Sequence, residues 1–241
     1  MKGIKLYMSS FVLKIIAMCT MLIDHSGYVI FDRFSYFNYI GRLAFPIFAF
    51  QISEGYIHTK NLKKYFLRLL IFALISQMPY MLYKSNYTFF SGFCLNIFFT
   101  LILGLVCITI YDKIVSSKID ISVYFKMFIS FIIVALISYI AQCFHFEYGA
   151  FGVLIIFIFY LFKDNKFIMN LGFIFAVLTY FSKNLIQSHY DYRYILLCVC
   201  TILPLIFINL YSGKKGKKIK YVLYTFYPVH LLVLYLLELY F

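Results

Sequence analysis

IGRLAFPIFAFQISEGYIHTKNLKKYFLR, residues Ile40–Arg68, read with MLIDH at Met21–His25, decides the fold class. Both stretches lie in apolar runs long enough to cross a bilayer, yet they carry Asp24, His25, Arg42, Glu54 and His58. An ionisable side chain in hydrocarbon costs about 2.5–3.5 kcal/mol even on insertion scales. A chain that places this many in its first two runs is building a site.

Working outward, the 241-residue chain is 64% hydrophobic and 13% charged, with a mean hydropathy of +0.89. Soluble domains average roughly 45–50% apolar and 25% charged residues. The composition therefore gives an all-α, polytopic transmembrane bundle as a single domain over residues 1–241, and excludes a soluble enzyme on one anchor. Nine apolar spans are predicted at about 11–31, 36–57, 64–83, 94–111, 123–143, 147–162, 166–182, 193–211 and 220–240. Spans of about 20 residues leave only short loops. The basic, apolar start resembles a signal peptide, but Lys14 and Asp24–His25 interrupt it and a small-residue cleavage site is missing, so it reads as a retained first helix.

The formal charge of +13 invites a nucleic-acid partner, and its placement argues against one. With the N-terminus in the cytoplasm, inside segments hold Lys2, Lys5, Lys60, Lys63, Lys64, Arg68, Lys113, Lys118, Lys126, Lys163, Lys166, Lys214, Lys215, Lys217, Lys218 and Lys220. Outside segments hold Arg33, Lys84, Lys183 and Arg193. This is the positive-inside pattern of a multi-pass protein of the bacterial cytoplasmic membrane. GKKGKKIK at Gly213–Lys220 then reads most simply as a topology determinant beside anionic headgroups. The six cysteines are scattered without a C-x-x-C and behave as small apolar side chains. The 24 tyrosines cluster near span ends, where they serve the interfacial belt.

Depth gathers the polar residues. His25 lies roughly 9 Å below the outer end of span one, and Arg42 roughly 9 Å below the outer end of span two. Asp24, His25 and Arg42 thus share one level. Either Asp24 orients His25, or it forms a buried ion pair with Arg42, because adjacent helical residues point about 100° apart. Pro46 removes the hydrogen bond to the Arg42 carbonyl, which gives either a polar pocket wall or an ordinary kink. Glu54 and His58 share a helix face four residues apart, but no second ligand cluster is near, and a metal is not expected. The basic run after them, with Lys60, Lys63, Lys64 and Arg68, is either a solvated loop or a phosphate-binding rim. Asn96 is a pocket member or a helix N-cap. His230, after Pro228, is either a satisfied core histidine or a functional one.

These same segments also resemble a known family. SSFVLKIIAMCTMLIDHSG, the Gly41–Phe50 and Glu54–Asn61 motifs, LNIFFTLILGL, EYGAFGVLIIFIFYLF and FYPVHLLVLYLL are similar, in order along most of the chain, to the TraX family, named for N-terminal acetylation of conjugative pilin. That family is similar in turn to integral-membrane acyltransferases. The resemblance implies transfer of an acetyl group from cytosolic acetyl-CoA to an acceptor amine or hydroxyl on a peptide, surface polymer or small molecule. His25 is implied as the catalytic base with Asp24 beside it, and Arg42, Asn96 and His230 as oxyanion or acceptor contacts. Glu54, His58, Lys60, Lys63, Lys64 and Arg68 are the implied acyl-CoA contacts. Two other classes use the same buried charges: a small-molecule transporter, and a pilus or secretion assembly protein without chemistry.

Overall fold

The structure is a computed structural model and describes residues 7–30, 36–87 and 94–240; Lys2, Lys5 and Arg33 of the charge pattern lie outside the described residues. The described residues form a helical bundle with the elements α1 (Ser10–Ile30), α2 (Tyr36–Gly41), α3 (Ala44–His58), α4 (Leu62–Tyr87), α5 (Ile97–Val115) and α6 (Val123–Cys143). It continues with α7 (Gly149–Leu161), α8 (Lys166–Gln187), α9 (Tyr192–Ile202), α10 (Pro204–Asn209) and α11 (Lys220–Tyr240). Among the described residues, seven stretches are long and apolar enough to cross a membrane: α1, α4, α5, α6, α8, the α9–α10 pair and α11.

Two predicted spans take another form. The second breaks after Gly41, and Arg42 and Leu43 form a turn before α3 begins. Pro46 consequently sits in the first turn of α3, where its missing N–H removes no helical bond. The predicted kink is thus a helix restart. The sixth span is α7, whose 13 residues rise roughly 20 Å against about 30 Å of hydrocarbon. It is wrapped by α3, α5, α6 and α8, and nine of its residues, Gly149 to Tyr160, are buried.

Local sequence explains the other boundaries. Asn165 caps α8 by accepting from Phe167 N and Ile168 N, and Asp191 caps α9 through Arg193 N. Pro204 occupies the first position of α10, which its fixed φ suits. Consecutive elements alternate between two ends of the bundle. At one end Met8 bridges to Tyr211, and Asp112 accepts from Tyr56 Oη at 2.7 Å and Tyr160 Oη at 2.9 Å. At the other, Leu95 bridges to Phe146, and Glu147 N donates to Leu95 O at 2.9 Å.

The start of α1 is held by the loop before α11. Met8 N donates to Leu210 O at 2.9 Å, Ser10 N to Lys214 O at 2.8 Å and Phe11 N to Lys215 O at 3.1 Å. Loop carbonyls therefore satisfy N–H groups that a helix start leaves unpaired. Gly213 (φ 74°) and Gly216 (φ 67°) supply the left-handed backbone this path needs. A Cβ on Gly216 would also lie 2.7 Å from Ser9 Oγ. A long cavity runs between these two ends.

Candidate active site

The cavity encloses about 880 Å³ between α1, α3, α4 and α11. Ser10 and Lys14 line it at one end, and His25 and Tyr28 line it at the other. From Ser10 to Tyr28 the helix rises roughly 27 Å, close to the thickness of a bilayer core.

His25 projects from α1 into the far half of this cavity. Its Nδ1 lies 2.7 Å from Nε2 of His230 on α11, with the two rings only 7° from parallel. His230 Nδ1 lies 2.7 Å from the Phe226 carbonyl oxygen. That geometry assigns the protons. A carbonyl can only accept, so His230 Nδ1 carries hydrogen and, in the neutral ring, Nε2 accepts. His25 Nδ1 is then the donor to His230, and His25 Nε2 keeps its lone pair. Among the described residues nothing is hydrogen bonded to that atom. Tyr83 Oη donates to the His25 carbonyl at 2.9 Å, and its ring centroid stands 5.2 Å from the imidazole. Tyr227 approaches from α11 at 6.5 Å. His230 is 5% exposed and does not line the cavity, so it acts on the site only through His25.

Asp24 lies on a different face of α1 and is the partner of Arg42. Arg42 Nη2 stands 3.3 Å from Asp24 Oδ2 and 3.4 Å from Oδ1, and Asn38 Nδ2 donates to Oδ1 at 3.2 Å. Asp24 makes no hydrogen bond to His25, so of the two alternatives the structure takes the ion pair. The cause is the roughly 100° rotation between neighbouring helical residues. The break after Gly41 lets this pair form: a Cβ there would lie 2.2 Å from Asp24 Cβ, so only glycine allows α2 so close to α1. Arg42 Nε is satisfied by the Asn38 carbonyl at 3.3 Å, and the guanidinium lines the cavity within Coulombic reach of His25.

The remaining expected site residues divide. Asn96 is fully buried and committed as the N-cap of α5: its Oδ1 accepts from Phe98 N at 3.0 Å. Its Nδ2 donates to Ala73 O and to Gln77 Oε1, both at 2.8 Å. It does not line the cavity, so its place is structural, at a helix start that needs a side-chain acceptor. Glu54 and His58 line the near half and pair at 3.4 Å across one turn. Arg68 lines the cavity beside Tyr65 and Tyr224. Lys60, Lys63 and Lys64 do not line it. They are exposed at the α3–α4 turn, where Asn61 Oδ1 accepts from Lys64 N.

Several lining residues stand outside the expected site set, although depth places Tyr148, at the start of the sixth span, on the same level. Glu147 accepts from Tyr227 Oη at 3.3 Å in the far half, with Lys84, Tyr80 and Tyr148 around it. Tyr148 adopts φ 62° ahead of α7 and stacks on Phe45 at 3.8 Å. A carboxylate inside CFHFEYGAFG was the available signal for Glu147.

Comparison with known proteins follows this geometry. The TraX protein family matches residues 9–238. A relative from Dichelobacter nodosus, a probable fimbrial assembly protein FimC of serogroup H1, is 26% identical over 244 residues. The alignment covers 94% of each chain. No solved structure matches the sequence. Because the family match runs over nearly the whole length, this chain belongs to the TraX protein family.

Proposed function

We propose that the protein is a membrane-embedded acetyltransferase of the bacterial cytoplasmic membrane, moving an acetyl group from cytosolic acetyl-CoA to an amine or hydroxyl acceptor. The observation that carries this reading is the unpartnered lone pair of His25 Nε2 inside a cavity, held in one tautomer by His230 and the Phe226 carbonyl. A general base needs that arrangement.

The acceptor nitrogen or oxygen attacks the thioester carbonyl, and His25 Nε2 takes its proton. The tetrahedral intermediate collapses with cleavage of the C–S bond, and the imidazolium returns the proton to the thiolate to give free CoA. General-base help of this kind is worth about 10²–10⁴-fold. Arg42 supplies positive charge for the oxyanion, and Asp24 holds it in place. Asn96 has no part in this scheme, because both ends of its amide are committed.

Distances along the cavity support the donor. A phosphopantetheine arm has about thirteen bonds from phosphorus to sulfur, and three extended bonds span about 3.3–3.6 Å, so it reaches about 15 Å. Lys14 and His25 are separated by roughly 16 Å of helix rise. A thioester entering at the Lys14 end thus brings its carbonyl to His25, while the acceptor enters from the other end beside Glu147 and Tyr148. Charge placement supports a cytoplasmic Lys14 end. The family name and the fimbrial-assembly relative favour a pilin-like peptide amine as the acceptor.

The test is release of CoA from acetyl-CoA by the purified protein in detergent, with and without an amine acceptor. Release should require His25, and His25→Gln should slow it about 10²–10⁴-fold while the melting temperature holds. The relative's name also favours a second reading, a pilus assembly factor without chemistry. Under it His25→Gln would leave pilus assembly intact. A transporter would instead give His25-dependent flux in liposomes without acetyl-CoA cleavage.

A further inference from the structure

We infer that the basic strap Gly213–Lys220, with Lys14 and Arg68, forms a seat for the phosphate groups of the donor, the 3′-phospho-ADP end of an acyl-CoA. This deepens the acyltransferase reading and rests on it.

Cations gather without matching anions at one end of the cavity. Lys14, Arg68, Lys215, Lys217, Lys218 and Lys220 all line it there, and Glu54, already paired with His58, is the carboxylate at that end. Lys14 and Lys215 lie within Coulombic reach of each other. Like charges converging on a partly enclosed space repel unless an anion enters between them. A solvated loop would spread its lysines apart. This strap instead has its backbone fixed by the α1 start, through Ser10 N to Lys214 O and Phe11 N to Lys215 O. Left-handed Gly213 and Gly216 turn it across the cavity mouth.

A second, independent observation lies inside. Gln51 lines the same end and is 8% exposed. Its Oε1 accepts from Ser10 Oγ at 2.7 Å, but its Nε2 is buried without a hydrogen-bond partner, and so is Arg68 Nε. Buried donors are nearly always satisfied. Two orphaned donors, one on Gln51 and one on Arg68 itself, among these cations call for a ligand rich in acceptors, and a phosphate presents several per group. The diphosphate and 3′-phosphate of CoA bring several negative charges to these cations, at the end where the arm would begin. An anionic lipid headgroup shares the chemistry of one phosphate.

Adenosine 3′,5′-bisphosphate is the probe, titrated into the purified full chain in nonionic detergent. The variant Lys215→Gln/Lys217→Gln removes two exposed side chains and leaves the backbone carbonyl of Lys215 in place. Each lost charge-assisted bond corresponds to about ten- to hundred-fold in affinity, so this variant should bind the nucleotide at least a hundred-fold more weakly. Lys60→Gln/Lys63→Gln, equally basic and outside the cavity, should change affinity less than three-fold. Lys215→Arg/Lys217→Arg should bind as the wild type does. Equal losses in the two glutamine pairs, vanishing together at high salt, would reduce the seat to surface potential and overturn the inference. Displacement of the nucleotide by equimolar phosphatidylglycerol would overturn it in favour of a lipid headgroup. If CoA binds the wild type and both glutamine pairs equally well, the strap assignment falls while the acyltransferase reading stands. If neither CoA nor the bisphosphate binds the wild type, both fall.

Discussion

Replacing His230 tests the proton assignment without touching the substrate. In His230→Leu, His25 Nδ1 loses its 2.7 Å acceptor and nothing selects the tautomer that leaves Nε2 free. A buried hydrogen bond of this kind is worth about 0.5–1.5 kcal/mol, and the ring's freedom to rotate adds a comparable amount. The sum, about 1–3 kcal/mol, corresponds to roughly a five- to hundred-fold fall in kcat. His25→Gln removes the base itself and should cost about 10²–10⁴-fold. Because His230 does not line the cavity, KM for acetyl-CoA should stay within two-fold. His230→Gln can return an acceptor near the lost Nε2 and should recover most of the rate. The assay is thiol release from acetyl-CoA in detergent, with melting temperatures for each variant. The double variant His25→Gln/His230→Leu should be no slower than His25→Gln alone, since a positioning residue has nothing left to position. Multiplying losses, a rise in KM, or a folded His230→Leu with wild-type kcat would refute the reasoning.

Gly41→Ala should lower stability by about 1–3 kcal/mol, because its Cβ would lie 2.2 Å from Asp24 Cβ; an unchanged melting temperature would contradict the close α1–α2 approach. Asp24→Leu strands a largely buried Arg42 and should cost about 3 kcal/mol, while Asp24→Leu/Arg42→Leu should recover stability but not activity. Asp24→Asn keeps the Asn38 contact and should slow turnover less than His25→Gln does. Reporter fusions at Lys64, Lys118, Lys166 and Lys217 should read cytoplasm, and those at Tyr87, His145 and Ser188 the outer side. A reversal at His145 would mean that α6 and α7 do not run as separate passes.

Much of the fold was legible because hydrocarbon leaves a chain few choices: long apolar runs between basic loops become helices. The departures come from tertiary packing. Nothing local announces that residue 41 must be glycine; the reason is the side chain of Asp24 on another helix. The shared level of His25 and Arg42 followed from counting residues. The pairing of His25 with His230 did not, because 205 residues separate them and a lone histidine after a proline reads equally well as core. Lys60, Lys63 and Lys64 drew attention by following Glu54 and His58 in the chain. The cations at the Lys14 end of the cavity come from α1, α4 and the strap before α11, which only the folded bundle brings together.

The His25–His230 pair also fixes when the site can be completed. His25 lies on α1 and His230 on α11, so the pair cannot exist until α11 has been made. At about 5–20 residues per second, the 205 intervening residues take roughly 10–40 s to make. Throughout that interval His25 sits in a half-built bundle without its proton acceptor. Joining α1 to α11 through one hydrogen bond makes the tautomer of His25 a late product of synthesis. A stalled or truncated product lacking α11 never fixes that tautomer, however well its earlier helices insert.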